Sequence, residues 1–254
     1  MDIEQSLKYF NENGFVIVPG QNIDMLNDVR SFIANQISSE LGVIGTPEEV
    51  INNCHLGEKL LCDSSANALV LKLISKFSEK YDMADIVYQS SKRFIDNLIG
   101  PDIVCQRNPN IVLQYPGSSR YSELHTDTPG NSPFEVVAWL PLVSCYKTKS
   151  FYILSPEKTK HYLELYDQGK FTSWHSFKKE CINNSTHLTV DYGSTLFFWS
   201  GLLHGSLVNE ELETRLCLNV RYKSTYAPHG KKDPVSFFRV LKSSGVTSLV
   251  SKYA

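Results

Sequence analysis

The chain has 254 residues, 42% of them hydrophobic and 11% aromatic, with 25 basic against 27 acidic side chains and a formal net charge of −2. So even a balance excludes a partner recognised through bulk electrostatics, and neither nucleic acid nor an anionic membrane surface is expected. Length and apolar content suffice for one large domain with a substantial core.

The opening "MDIEQSLKYF" lacks the charged-then-apolar order of a signal peptide, and the apolar run around "VVAWLPLV" is too short for a bilayer and holds a proline. Cysteines 54, 62, 105, 145, 181 and 217 show no Cys-x-x-Cys spacing, so structural zinc and a disulfide framework are not expected. A cytoplasmic protein with reduced thiols is the expectation.

In chain order, "IEQSLKYFNENG" predicts a helix with an Asn-Gly stop, and "FVIVPG" a short buried strand. In "IDMLNDVRSFIANQIS", Leu26, Val29, Ile33 and Ile37 recur at helical spacing and define one apolar face. "NALVLKLISKFSEKY" and "ADIVYQSSKRFIDNLIG" predict two further helices, the second stopped by Gly100-Pro101. From residue 101 the period changes. "DIVCQR", "NIVLQYP", "FEVVAWLPL", "KSFYILS", "HLTVDYG", "TLFFWSG", "GSLVNE" and "TRLCLNVRYKS" are short runs rich in β-branched and aromatic residues, punctuated by turn residues. Asp233-Pro234 predicts a last helix through "VSFFRVLKSS". The expected architecture is a single domain, mainly β with helices: support helices over 1–100, a jelly-roll core over 101–228 and a C-terminal helix over 229–254.

The chemistry concentrates in the β zone. His125 and Asp127 in "ELHTDTPG" are two residues apart, so on extended chain both side chains project from one face. His204, in "FFWSGLLHGSLV", opens another strand. Two histidines and one carboxylate on one face of a cation leave three positions open, the arrangement of non-haem Fe(II) oxygenases. "TRLCLNVRYK" then alternates: Leu216, Leu218, Val220 and Tyr222 face one way, Arg215, Cys217, Asn219 and Arg221 the other. A strand with such a polar inner face implies a wet, charged cavity. A guanidinium fixed there needs an anionic partner, and its planar fork suits a carboxylate.

His125-x-Asp127, His204, Ser206 two residues later and Arg215 eleven residues after His204 together resemble the Fe(II)/2-oxoglutarate-dependent dioxygenases, most closely the phytanoyl-CoA hydroxylase-like branch. "NGFVIVPG" after the first helix is similar to that branch's opening. "LHTDTPGNSPFEVVAWLPL" and "TRLCLNVRYKS" further resemble a bacterial subgroup associated with carbohydrate-biosynthesis clusters. The resemblance implies that His125, Asp127 and His204 bind Fe(II), that Arg215 grips the distal carboxylate of the cosubstrate 2-oxoglutarate with help from Ser206, and that Trp139 belongs to the same barrel. O₂ is the oxidant it implies, and a small molecule, a sugar or nucleotide-linked sugar, the substrate class. Retention of Asp127 implies hydroxylation or a related oxidation rather than halogenation. The chain departs from the family at "YKTKSFYILSPEKTKH", where many members have an Asn-Gly pair and a Pro-Gly-Ser-His-like turn.

Blander readings stand beside these. Arg215 could pair on the surface with Glu211 or Glu213, and Trp139 could be plain core. Gln114, Asn219 and Arg221 could touch 2-oxoglutarate or substrate, or simply line a barrel. Lys147, Lys149 and Arg120 could bind a substrate phosphate or form solvated basic loops. A cupin-type sugar epimerase would share the barrel but not need Arg215; a jelly-roll carbohydrate-binding module would need neither the triad nor a polar interior.

Overall fold

The computed structural model describes residues 2–58 and 62–253. Helix α1 (Ile3–Asn13) starts at a capping box between Asp2 and Gln5 and stops at Gly14, whose φ of 73° is the left-handed conformation only glycine adopts cheaply. Strand β1 (Phe15–Pro19) follows, then α2 (Ile23–Leu41), which buries Leu26, Val29, Ile33 and Ile37 as its periodicity predicts. A short α3 (Pro47–Asn52) has its own Thr46–Glu49 capping box, and α4 (Asp63–Ser78) packs against the later β3. The stretch predicted as one helix over "ADIVYQSSKRFIDNLIG" is two, α5 (Met83–Ser90) and α6 (Lys92–Ile99). Ser91 leaves helical geometry between them and donates its hydroxyl to Thr195 at 3.2 Å.

The strands are β2 (Ile103–Gln106), β3 (Asn110–Gln114), β4 (Val136–Pro141) and β5 (Phe151–Ile153), followed by helices α7 (Pro156–Asp167) and α8 (Trp174–Asn183). The chain then continues through β6 (Thr186–His187), β7 (Ser194–Trp199), β8 (His204–Ser206) and β9 (Arg215–Ser224). The strand expected over "GSLVNE" thus lies earlier and is shorter, and "HLTVDYG" forms only a two-residue strand plus a bridge from Val190 to Cys145.

The C-terminal helix is corrected. Asp233 caps only a single turn, α9 (Pro234–Phe237), before the chain straightens into β10 (Phe238–Lys242), antiparallel to β2; α10 (Gly245–Tyr253) comes after it. Without β10 one edge of β2 would carry unpaired backbone groups, and pairing there outweighs a weak helical pattern.

Two antiparallel sheets result. The larger runs β1-β7-β4-β9-β2-β10, with β3 also on β9, and the smaller runs β6-β5-β8. Leu216, Leu218, Val220 and Tyr222 of β9 enter the core shared with the N-terminal helices, and Tyr222 donates to the Ala84 carbonyl at 2.6 Å. The opposite face contributes Val137, Trp139, Leu196 and Phe198 to a second core with Phe151 and Ile153 of the smaller sheet. A one-residue slip of β9 would drive two arginines into the helical core and expel four apolar side chains, each stabilising by about 1.5–3 kcal/mol when buried. That penalty fixes which side chains of β9 face between the sheets.

Candidate metal centre and its cavity

His125 and His204 meet at an antiparallel bridge: each backbone N–H donates to the other's carbonyl, at 3.0 and 2.9 Å, and their ring centroids lie 4.3 Å apart. Two residues on, the Asp127 N–H donates to the Ser200 carbonyl at 3.0 Å, and its carboxylate converges with the two rings. Each imidazole is anchored alike. Nδ1 lies 2.7 Å from the Glu123 carbonyl in His125 and 2.9 Å from the Leu202 carbonyl in His204. A carbonyl can only accept, so Nδ1 carries the hydrogen and Nε2 is left with its lone pair, as metal-binding histidines require. The ligand atoms of His125, Asp127 and His204 all lie within 4.8 Å of one another. Two imidazoles and one carboxylate so placed can hold a divalent transition metal while leaving positions free.

The electrostatics agree. Burial pushes the His204 imidazole down to about 4, so it stays neutral at ordinary pH. Contact with Asp127 raises that of His125. Burial alone would raise the Asp127 carboxyl, but His125 and Arg221 together hold it well below the usual carboxylate range.

Arg215 is only 4% exposed, with Nη1 donating to the Ser150 carbonyl at 2.9 Å and Nε without a partner. Neither glutamate that could have neutralised it does so: Glu213 pairs with Lys149 at 2.7 Å and Glu211 accepts from Thr148 at 2.9 Å. Among the described residues, no carboxylate lies within ion-pair distance of Arg215. Its guanidinium carbon lies 6.0 Å from the centre of the Trp139 ring.

Triad and guanidinium border one cavity of about 270 Å³, whose walls include Ser206, Trp139, Asn219 and Arg221, with Asn110, Ser122, Phe151 and Phe198. The Ser206 hydroxyl accepts from the Ser122 N–H at 2.9 Å and keeps its own hydrogen to donate; Asn219 Oδ1 has no partner. Gln114 is not among the lining residues: opposite Arg215 in the β3–β9 register, it donates to the Leu207 carbonyl at 2.7 Å. Lys149 is no phosphate ligand either, being fully buried with Nζ on Asn52 and Glu213. Arg120 lies at the rim, donating to the Asp63 carbonyl at 3.0 Å. A larger hollow of about 450 Å³ beside Phe77 and Asp82 has its arginines committed, Arg239 to Asp82 and Arg107 to the Val235 and Phe238 carbonyls.

The sequence left two features of this site unread. Arg221 donates to Asp127 Oδ1 at 2.9 Å rather than standing free for a ligand, and Glu135 lies fully buried beside it. The alternation of β9 placed Arg221 on the inner face, but nothing local signalled that the Asp127 carboxylate would meet it.

No protein-family model matches the sequence, and no curated protein sequence matches it significantly. Solved structures do share its fold. The non-haem monooxygenase ThoJ in complex with nickel is 13% identical, with a TM-score of 0.53 over 96% of this chain and 84% of that one. The non-haem α-ketoglutarate-dependent epimerase SnoN from nogalamycin biosynthesis is 15% identical, with a TM-score of 0.55 over 90% of this chain and 85% of that one. AviO1 from Streptomyces viridochromogenes Tue57 is 15% identical, with a TM-score of 0.52 over 89% of this chain and 97% of that one. At these identities the likeness establishes the fold. No helix among the described residues is long and apolar enough to cross a membrane.

Proposed function

We propose that the chain is an Fe(II)- and 2-oxoglutarate-dependent oxygenase that oxidises an aliphatic C–H of a small polar substrate. The observation that carries this reading is the pairing, in one cavity, of a two-histidine, one-carboxylate donor set with a buried guanidinium that has no carboxylate partner. A donor set alone would suit many metalloproteins; the uncompensated Arg215 asks for a ligand that is anionic and reaches toward the metal. 2-Oxoglutarate, a dicarboxylate with a keto acid at one end, meets both demands. The fold shared with α-ketoglutarate-dependent enzymes supports the reading. So does the arrangement of the two sheets, which we take to close as a jelly roll within a single domain over 1–254.

Bound Fe(II) with 2-oxoglutarate supplies activation of O₂ for C–H oxidation, with succinate and CO₂ as co-products. This chain's residues do the rest. His125, Asp127 and His204 hold the metal, with both rings fixed by their carbonyl bonds. Arg215 grips the distal carboxylate as a two-pronged donor, Ser206 adds its hydroxyl, and Trp139 walls the pocket. Asn219, whose Oδ1 is unsatisfied, faces the remaining space. Asp127 fills the position a halide would need, which favours hydroxylation over halogenation.

A second hollow of about 490 Å³ shares Asn110, Val112, Ser122 and Arg215 with the metal cavity and is bordered by Arg120 and Tyr121. We assign it to the substrate's approach. Val70, Leu71, Ile74 and Leu113 line it beside Asn67, Asn110 and Ser122, whose polar groups suit a hydroxyl-bearing molecule such as a sugar or nucleotide-linked sugar, and with a phosphorylated substrate Arg120→Ala should raise KM without changing uncoupled 2-oxoglutarate turnover. A metal-dependent epimerase that did not consume 2-oxoglutarate would leave Arg215 without a purpose.

Fe(II)- and O₂-dependent conversion of 2-oxoglutarate to succinate is the test. His125→Ala, Asp127→Ala and His204→Ala should each abolish it; near-wild-type succinate formation in any two of them would remove the assignment.

A further inference from the structure

Behind the donor set lies a row of charges, Asp127, Arg221 and Glu135. Glu135, just before β4, is fully buried; its Oε1 accepts the Ser132 N–H at 2.8 Å, while Oε2 has no hydrogen-bond partner. Arg221, on the inner face of β9, donates from Nη2 to Asp127 Oδ1 at 2.9 Å. Its Nε, also without a hydrogen-bond partner, stands 3.9 Å from Glu135 Oε2. The side chains of Asp127 and Arg221 are 10% and 11% exposed. Replacing such buried ions by apolar residues of similar volume is often neutral or stabilising, so stability alone is a weak reason for the row.

A carboxylate ligand can meet a metal through one oxygen or through both. Bound through both, it takes an extra coordination position, and a site that must admit a chelating cosubstrate cannot spare one. A guanidinium bonded to one oxygen pins the rotation of the carboxylate. Resting on the oxygenase reading, we infer that Glu135 and Arg221 are positioning residues: Glu135 sets the guanidinium, and the guanidinium holds Asp127 so that it presents a single oxygen to the ion.

The sign of one effect separates this role from simple charge. Arg221 is a cation beside a cation site, so repulsion alone predicts that removing it tightens metal binding. Positioning predicts the reverse, and removal of such an outer partner typically weakens metal affinity on the order of 10- to 100-fold.

Co(II) titrated into the metal-free protein, followed by its visible absorption, reads both affinity and coordination. Arg221→Met is expected to bind Co(II) on the order of 10- to 100-fold more weakly, with a changed band shape, and Arg221→Lys to recover part of the loss. Glu135→Gln should weaken binding less, and its effect should vanish in the double variant, because it acts through Arg221. Unchanged or tighter binding in Arg221→Met would overturn the inference, as would an undiminished Glu135→Gln effect in the Arg221→Met background. If Arg221→Met fails to fold by thermal unfolding, Arg221→Lys carries the test: it keeps the charge without the planar fork, and wild-type affinity and spectrum there would be equally fatal. His204→Ala separates the two levels. Co(II) binding indifferent to His204→Ala would sink the oxygenase reading itself. Binding that needs His204 but ignores Arg221 would sink only the positioning role.

Discussion

Arg215 holds a full positive charge almost out of water with a single carbonyl bonded to it. If a carboxylate of 2-oxoglutarate completes it, removing the guanidinium breaks a desolvated, charge-assisted pair, a loss of about 3–5 kcal/mol or roughly a hundred- to a few thousand-fold in affinity. Arg215→Ala should therefore weaken 2-oxoglutarate on that scale with metal affinity near wild type, and Arg215→Lys should recover only part, since an ammonium is a point charge rather than a fork. Equilibrium titration of both ligands into each variant checks this. At this scale the inner face of β9 was legible in the sequence because strand alternation is local: Arg215, Asn219 and Arg221 all reach the cavity. What Arg221 touches was not legible. Its partner, Asp127, sits in a turn far away in sequence, and only the assembled sheet brings them to 2.9 Å. Nor was the partner of Gln114 legible: it lies opposite Arg215 on β3, and its amide donates to the Leu207 carbonyl.

Strand β8 is three residues long, yet it carries both His204 and Ser206, so its seating governs the site. Gly205 between them has no room for a side chain: a Cβ there would lie 2.6 Å from the Tyr152 hydroxyl and 2.9 Å from the Ser122 carbonyl. Gly205→Ala should push β8 away from β5, lowering unfolding stability by about 1–3 kcal/mol and weakening metal binding together; a variant with wild-type melting and metal affinity would contradict the seating. Lys149, by contrast, supports the fold from a distance. Lys149→Ala strands the buried Asn52 amide oxygen and removes the cation paired with Glu213, whose Oε2 keeps only the Tyr146 hydroxyl, so thermal unfolding should detect a loss of about 1–3 kcal/mol while KM for substrate stays unchanged. Elements with strong local signals, such as α1 with its Asn-Gly stop and α2 with its apolar stripe, were readable from sequence. The break at Ser91 and strand β10 were not, because a hydrogen bond to Thr195 and an unpaired edge of β2 are tertiary demands on locally ambiguous segments.

Across the whole molecule, the N-terminal helices back one face of the larger sheet and the smaller sheet faces the other, and the candidate metal ligands His125, Asp127 and His204 lie at the seam between the sheets. Stability and function are coupled there through His204. With its imidazole held at about 4 in the folded chain against 6.5 for an ordinary histidine, the unfolded chain binds the proton first as pH falls. The metal-free protein should therefore lose stability between about pH 6.5 and 4, a loss that His125, shifted upward, partly offsets at the upper end. Denaturant unfolding at stepped pH should show that slope in the wild type and a flatter one in His204→Asn. The most direct test of the central claim is anaerobic titration of 2-oxoglutarate into the Fe(II)-loaded chain, followed by the metal-to-ligand absorption band. A saturable band is expected, lost in His204→Ala and appearing only at much higher 2-oxoglutarate in Arg215→Ala. Absence of any band in the wild type, or a band indifferent to Arg215, would contradict it.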